Sequence, residues 1–267
     1  MAEKEKTIQS ENKNDRSMLI SLAQNDFKAK YAGSALGMVW AFVTPVITIL
    51  IYWFVFQVAF KNGPVGDVPY VLWLVSGIVP WFFMSEGWGG ATGVLIDYSY
   101  LVKKVVFPVE LLPGVRVTSA FFVHLFFVLL TFVVNFCCLR PPAFIHLQIF
   151  YYMAAAYILT LALGRVTSIL TAFTRDTSNL VGVIVQLGFW ITPLFWDINS
   201  LPKGLQTVFH FNPFFYVTEG YRATFVYGVP FWVNWWQGLY FWGITALLIM
   251  LGNLLYKRLR PHLADML

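Results

Sequence analysis

The side chains with the most chemical potential in this sequence are a few ionisable residues set among long apolar runs. Glu86, Arg116 and Arg165 lie in such runs, and Glu219 and Arg222 stand three apart in a broken apolar segment. A charge in hydrocarbon is costly, so each marks a polar pathway or a buried pair. Arg165 is long enough to reach lipid headgroups. Glu86 is not, and is expected either to pair with an arginine or to face a wet cavity. Glu219 and Arg222 can share one helix face, with a local ion pair as the plainest reading. Trp81 and Phe82, beside Phe83, offer aromatic faces on which sugar rings stack. A second aromatic cluster, Trp232, Trp235 and Trp236, fits the belt expected at a membrane surface. Glu86, Arg116, Arg165, Trp81 and Phe82 are therefore the candidates for a substrate path.

The usual catalytic constellations are missing from the sequence. It has no GxxxxGK[ST] loop to cradle a nucleotide phosphate, no HExxH, no GxSxG and no acidic cluster for a divalent metal. No cofactor or metal is expected on this chain, and nothing implies a nucleic-acid partner. His124, His146, His210 and His262 are scattered, and His124 reads as a satisfied polar group between helices. Cys137 and Cys138 are adjacent in an apolar run and read as small helix residues.

The elements that must hold these residues are helices in a membrane. Apolar residues are 58% of the 267 and charged ones 12%, about half the share of a soluble domain. Residues 1–17 are polar and charged, without the apolar core of a signal peptide, and are expected to be a flexible cytoplasmic tail. Residues 18–35 hold an amphipathic interface helix, with Ser21, Gln24, Asn25 and Lys28 on its polar arc and Asp26 and Lys30 interrupting its apolar face. Six spans are predicted, at about 36–60, 68–96, 111–139, 150–173, 180–195 and 235–256, within a transmembrane domain of 36–256. Gly33 with Gly37, and Gly89 with Gly93, have the spacing that lets helices approach closely. The stretch 197–231 is apolar but broken by Pro202, Gly204, Pro213, Gly220, Gly228 and Pro230, so it is expected to dip into the outer leaflet as short helices and return. Six spans put the N-terminal tail, Lys103, Lys104, Arg175 and the basic C-terminal tail (257–267) on one side, which the positive-inside rule makes cytoplasmic.

Several stretches in order resemble the transmembrane subunits of type-2 ABC exporters of lipid-linked polysaccharides. They are DFKAKYAGSALGMVWAFVTP (26–45), VPYVLWLVSGIVPWFF (68–83), LVKKVVFPVELLP (101–113), FTRD (173–176) and NPFFYVTEGYR (212–222). IYWFVF (51–56), TPLFWDI (192–198), YFWGIT (240–245) and LADML (263–267) resemble the branch that exports teichoic acid in Gram-positive bacteria. The resemblance implies a homodimer in the bacterial plasma membrane, joined by two copies of a separate ATPase that carries ATP and Mg. It implies a coupling helix seated on that ATPase, with Leu101, Val102, Lys103, Lys104, Phe107 and Pro108 as its residues. It implies a lipid-linked glycan as cargo, and with the isolated charges it makes Glu219 and Arg222 an extracellular gate. Arg116 and Arg165 would favour the phosphates of a polyanionic teichoic acid. The alternatives are O-antigen or capsule export in the same family, a membrane-embedded glycosyltransferase on the same lipid carrier, and an ion-coupled transporter.

Overall fold

The structure, a computed structural model, describes residues 2–103, 108–139, 141 and 143–266. These form α1 (Ala2–Lys30), α2 (Trp40–Trp53), α3 (Tyr70–Asp97), α4 (Ser99–Val102), α5 (Leu112–Cys137) and α6 (Ile149–Phe173). There follow α7 (Asp176–Ile191), α8 (Lys203–His210), α9 (Pro213–Arg222), α10 (Trp235–Leu259) and α11 (Leu263–Met266). Among the described residues the only β-type pairing outside helices is one isolated bridge, Val65 to Val68, in the turn between α2 and α3. The fold is the all-helical membrane architecture expected.

Among the described residues, five helical stretches are long and apolar enough to cross a membrane: Gly37–Ala59, Tyr70–Asp97, Val109–Cys137, Phe144–Phe173 and Trp235–His262. The sixth expected span is represented by α7, whose 16 residues extend only ~24 Å against a hydrocarbon core of ~30 Å. It stops because Thr192 is extended ahead of Pro193, which cannot continue a helix. The chain then runs without helix through 192–197, yet Leu194 and Phe195 are buried. The expected broken segment 197–231 holds a 3-10 turn at Ile198–Ser200, α8, α9 and a π turn at Ala223–Tyr227, the last ended by Gly228 at φ +65°. A second π turn, Phe54–Ala59, closes the first span.

At the centre is α3. Its most apolar stretch is 78% buried, against 11% for the first span and 17% for the last. It packs chiefly on α5 and α6, and α9 fits against α3, α6 and α10. The close approach of α3 to α6 rests on small residues, but not on the expected pair. A methyl on Gly164 would meet the Ala91 side chain at 2.5 Å, and one on Gly87 would meet Thr160 at 2.9 Å. Gly87 and Ala91 thus face Thr160 and Gly164, each pair four apart, as close helix contacts require. Gly89 has open space around it, and a methyl on Gly93 would meet only its own helix's Asp97 at 4.0 Å. Gly33 and Gly37 have φ of +89° and +52°, so they are turn residues between α1 and α2 instead of packing residues.

The N-terminal region also differs from expectation. Helix α1 runs from Ala2, where a tail to residue 17 was expected, and ends at Lys30 instead of continuing to 35. Residues 2–16 lack Gly and Pro and are rich in Glu and Lys, which favour helix. Its buried face packs on α5: Leu19 lies against Gly114, and Phe27 meets Phe122 edge-on at 6.4 Å. Asp26, which interrupts the apolar stripe, is 5% exposed.

The seam gives a direct test. Gly164→Leu overpacks the α3–α6 contact and is expected to cost about 1–3 kcal/mol, whereas Gly89→Leu, in open space, should cost far less. Thermal unfolding of the two purified variants in detergent reads the difference, and equal losses would mean that the seam lies elsewhere.

Candidate functional site

Two polar centres hold the bundle, one at each end. At the end carrying α8 and α9, Arg222 is 1% exposed. Its Nη1 donates to the Pro193 carbonyl at 2.6 Å, its Nη2 to Leu194 at 3.0 Å and its Nε to Trp73 at 3.4 Å. The guanidinium lies 3.6 Å over the Trp73 ring. Its Nη1 is also 3.5 Å from Glu219 one turn back, whose side chain is 30% exposed. Two of the three carbonyls belong to the non-helical stretch after α7, which has no neighbouring turn to satisfy them. Tyr70 donates to the next one, Phe195, at 3.2 Å, and Asn212 donates its amide to the Thr192 hydroxyl at 3.2 Å. Gly77 leaves room for the guanidinium: a methyl there would stand 2.6 Å from Nη2. Nearby, His124 Nε2 and the Tyr221 hydroxyl are 2.7 Å apart.

At the opposite end, Arg116 on α5 joins three elements. It is 3.1 Å from Asp26 of α1 and 2.7 Å from Asp97 at the end of α3. Tyr98 donates to Asp26 at 2.7 Å. Burial first, then that hydrogen bond, push the Tyr98 phenol above its ordinary range, so it remains a donor. Lys30 of α1 pairs with Glu86 of α3. Arg165 is 3.9 Å from Glu110 and lies 5.4 Å from the Tyr256 ring centre, while Arg260 reaches the other oxygen of Glu110 at 3.4 Å.

These contacts rearrange the expected site. Glu86 has its cationic partner, but it is Lys30 and not an arginine. Arg116 and Arg165 are matched by carboxylates of this chain, so their charge is not held free for a phosphate. Trp81 is 3% exposed, edge-on to Phe214 and packed where Gly188 lets α7 approach. Phe82, Glu86 and Arg116 line a cavity of about 420 Å³ between α1, α2, α3 and α5, and neither Trp81 nor Arg165 does. The five path candidates therefore do not converge. Glu219 and Arg222 do pair, within α9, around an arginine that is fully buried.

Of the coupling residues, Lys104 and Phe107 lie outside the described residues. Leu101 packs against a small core that includes Val94, Leu112 and Tyr256, Val102 ends α4, Lys103 is exposed and Pro108 is half-buried. Sequence reasoning missed Asp26, Gly77, Tyr70 and Asn212. The signal for Asp26 was a lone acid on an apolar helix face. The other three sit within the quoted stretches 68–83 and 212–222.

With this geometry in view, comparison with known proteins places the chain. The model of the family described as ABC-2 type transporter matches residues 18–226, and the chain belongs to that family. Relatives include the O-antigen export system permease protein RfbA of Myxococcus xanthus, 27% identical over 213 residues covering 79% of this chain and 80% of the relative. A protein of the same name from Klebsiella pneumoniae is 24% identical over 253 residues, covering 94% and 95%.

Removing Arg222 strands buried carbonyls, each worth about 1–3 kcal/mol. Arg222→Met is expected to cost on the order of 3 kcal/mol or more, while Glu219→Gln, on a part-exposed partner, should cost about 0–1 kcal/mol. Melting of the two variants by tryptophan fluorescence separates them, and equal small losses would refute the role given to Arg222.

Proposed function

We propose that this chain is the permease subunit of an ATP-driven exporter of lipid-linked polysaccharide, working as a homodimer with two copies of a separate ATPase. The observation that carries this reading is the family match over residues 18–226 in a chain without a nucleotide-binding loop. The relatives' names, O-antigen export permeases, support a glycan cargo. On α7, Asn179, Gly182 and Gln186 form an exposed stripe beside an apolar face, with nothing within 4 Å of where a Gly182 methyl would stand. Amides and bare backbone are poor surfaces for lipid and good ones for a second subunit or a wet passage. This supports the dimer, with the passage along α7 rather than through the cavity beside α3. Both termini are cytoplasmic in this reading, supported by the basic residues Lys103, Arg175, Lys257, Arg258 and Arg260 falling on that side. Segment 101–108 then faces the ATPase.

The polymer is wall teichoic acid of a Gram-positive cell, on the strength of the stretches 51–56, 192–198, 240–245 and 263–267. O-antigen is the second reading, favoured by the names of the relatives. In this reading the charged pair at the outer end has unequal roles. Arg222 is locked to three carbonyls, whereas Glu219 is part exposed and free to exchange partners as a gate.

The chain alone is expected to hydrolyse no ATP, and to acquire hydrolysis only on assembly with the ATPase. Reconstituted vesicles containing both, loaded with teichoic acid or a neutral polysaccharide on the same polyprenyl diphosphate, read export directly. Transport of the neutral polymer alone would hand the cargo to the second reading. Failure of any ATPase to co-purify would sink the exporter itself. Phe107→Asp should break the complex, since burying an unpaired carboxylate in a docking groove costs several kcal/mol. Glu219→Gln should leave assembly intact and change export per ATP. Wild-type values for both variants would remove the coupling and gate roles.

A further inference from the structure

The cavity of about 420 Å³ beside α3 is built like a receptacle for one amphiphile. It extends along α5 from Arg116 to Phe127, eleven residues or ~16 Å, about half the hydrocarbon thickness. Its deep walls are mostly apolar, formed by Val79, Phe82, Val123 and Phe127, with His124 set among them. Its other end carries the charges Asp26, Lys30, Glu86 and Arg116. The volume is in the range of small-molecule sites, and an apolar slot of this depth in a membrane is best filled by an acyl chain.

The charges identify the head. Two carboxylates and two cations line the cavity, so it is balanced and offers no excess of positive charge. Asp97, on the other side of Arg116, adds a further negative charge nearby. A diphosphate or other net anion is disfavoured. Lys30 and Glu86 are each about half exposed and pair with one another across the cavity mouth. We propose that this cavity binds a zwitterionic ethanolamine phospholipid from the leaflet on the α1 side. Its phosphate takes Lys30, its ammonium takes Glu86, and one acyl chain fills the slot toward Phe127. The head thus inserts into the Lys30–Glu86 pair, exchanging one ion pair for two charge-assisted contacts. The site joins α1 to α3, so its occupant becomes part of the bundle's packing. The inference is independent of which polymer is exported.

The test uses the full-length protein, stripped of lipid in detergent and titrated in native mass spectrometry with dioleoyl phosphatidylethanolamine or dioleoyl phosphatidylglycerol. One ethanolamine lipid should be retained roughly three- to tenfold more tightly than the glycerol lipid, a difference of up to about 1.4 kcal/mol. Glu86→Gln should erase that preference while a lipid still binds. Ser119→Trp, which fills the slot from α5, should abolish retention of either lipid; Thr48→Phe from the α2 wall repeats the test if the first variant does not elute as a folded species. Equal retention of the two lipids by the wild type, or undiminished retention in a folded slot-filling variant, overturns the proposal.

Discussion

The arrangement depends on one arginine satisfying a break in the backbone at membrane depth. Helix α7 stops at Ile191, too short to cross, and the carbonyls that follow need donors that lipid cannot supply. Arg222 supplies two of them from α9, a helix twenty residues further along, and a third bond to α3. Its planar fork suits this, since lysine would bring a single head to carbonyls spread over two elements. Gly77 makes the space, Trp73 covers the charge and Tyr70 and Asn212 complete the set. Three stretches far apart in sequence, 68–83, 192–198 and 212–222, are brought to one point by it.

The other end of the bundle is held by the same economy of charge, but with carboxylates as acceptors. Asp26, Asp97 and Arg116 bind α1, α3 and α5; Glu110 joins Arg165 to Arg260. Helix α1 is thereby fixed to the point where α3 ends and α4 begins. Asp97 and Tyr98, at the junction of α3 and α4, are linked to Asp26 of α1 through Arg116 and the Tyr98 hydroxyl, outside the apolar core. The pairs on Asp97 and Glu110, whose carboxylates are about half exposed, can be re-formed in a shifted register at small cost, whereas Asp26 is 5% exposed and its contact with Arg116 is not so easily exchanged.

Much of this was legible in the sequence, and the limits have physical reasons. Span positions follow from apolar length, so four of the five long helices start within two residues of expectation and the fourth span starts six earlier. The broken character of 197–231 follows from its Pro and Gly content. What periodicity cannot give is rotation about a helix axis. That is why Gly89 and Gly93 stood in for Gly87 and Ala91, which have the same spacing on another face. Nor can a single sequence tell a charge kept for a ligand from one matched by a residue distant along the chain. Arg116 and Arg165 looked free because their acids, Asp26 and Glu110, lie 90 and 55 positions away in the sequence. Trp81 looked like a stacking surface because buried and pathway aromatics have the same local pattern.

The unequal burial of the spans has a further consequence for motion. A soluble helix that leaves its neighbours exposes apolar surface to water and is drawn back. Here the first and last spans already face outward over most of their length. When such a helix tilts or slides, it trades contacts with leucine and phenylalanine for contacts with lipid tails of nearly the same cohesion. The α3–α5–α6 block has no such option, since its small-residue seam has no slack to share. The subunit is therefore mechanically graded: a stiff keel around α3, and outer staves whose position is set by what presses on them from the membrane or from a neighbouring chain.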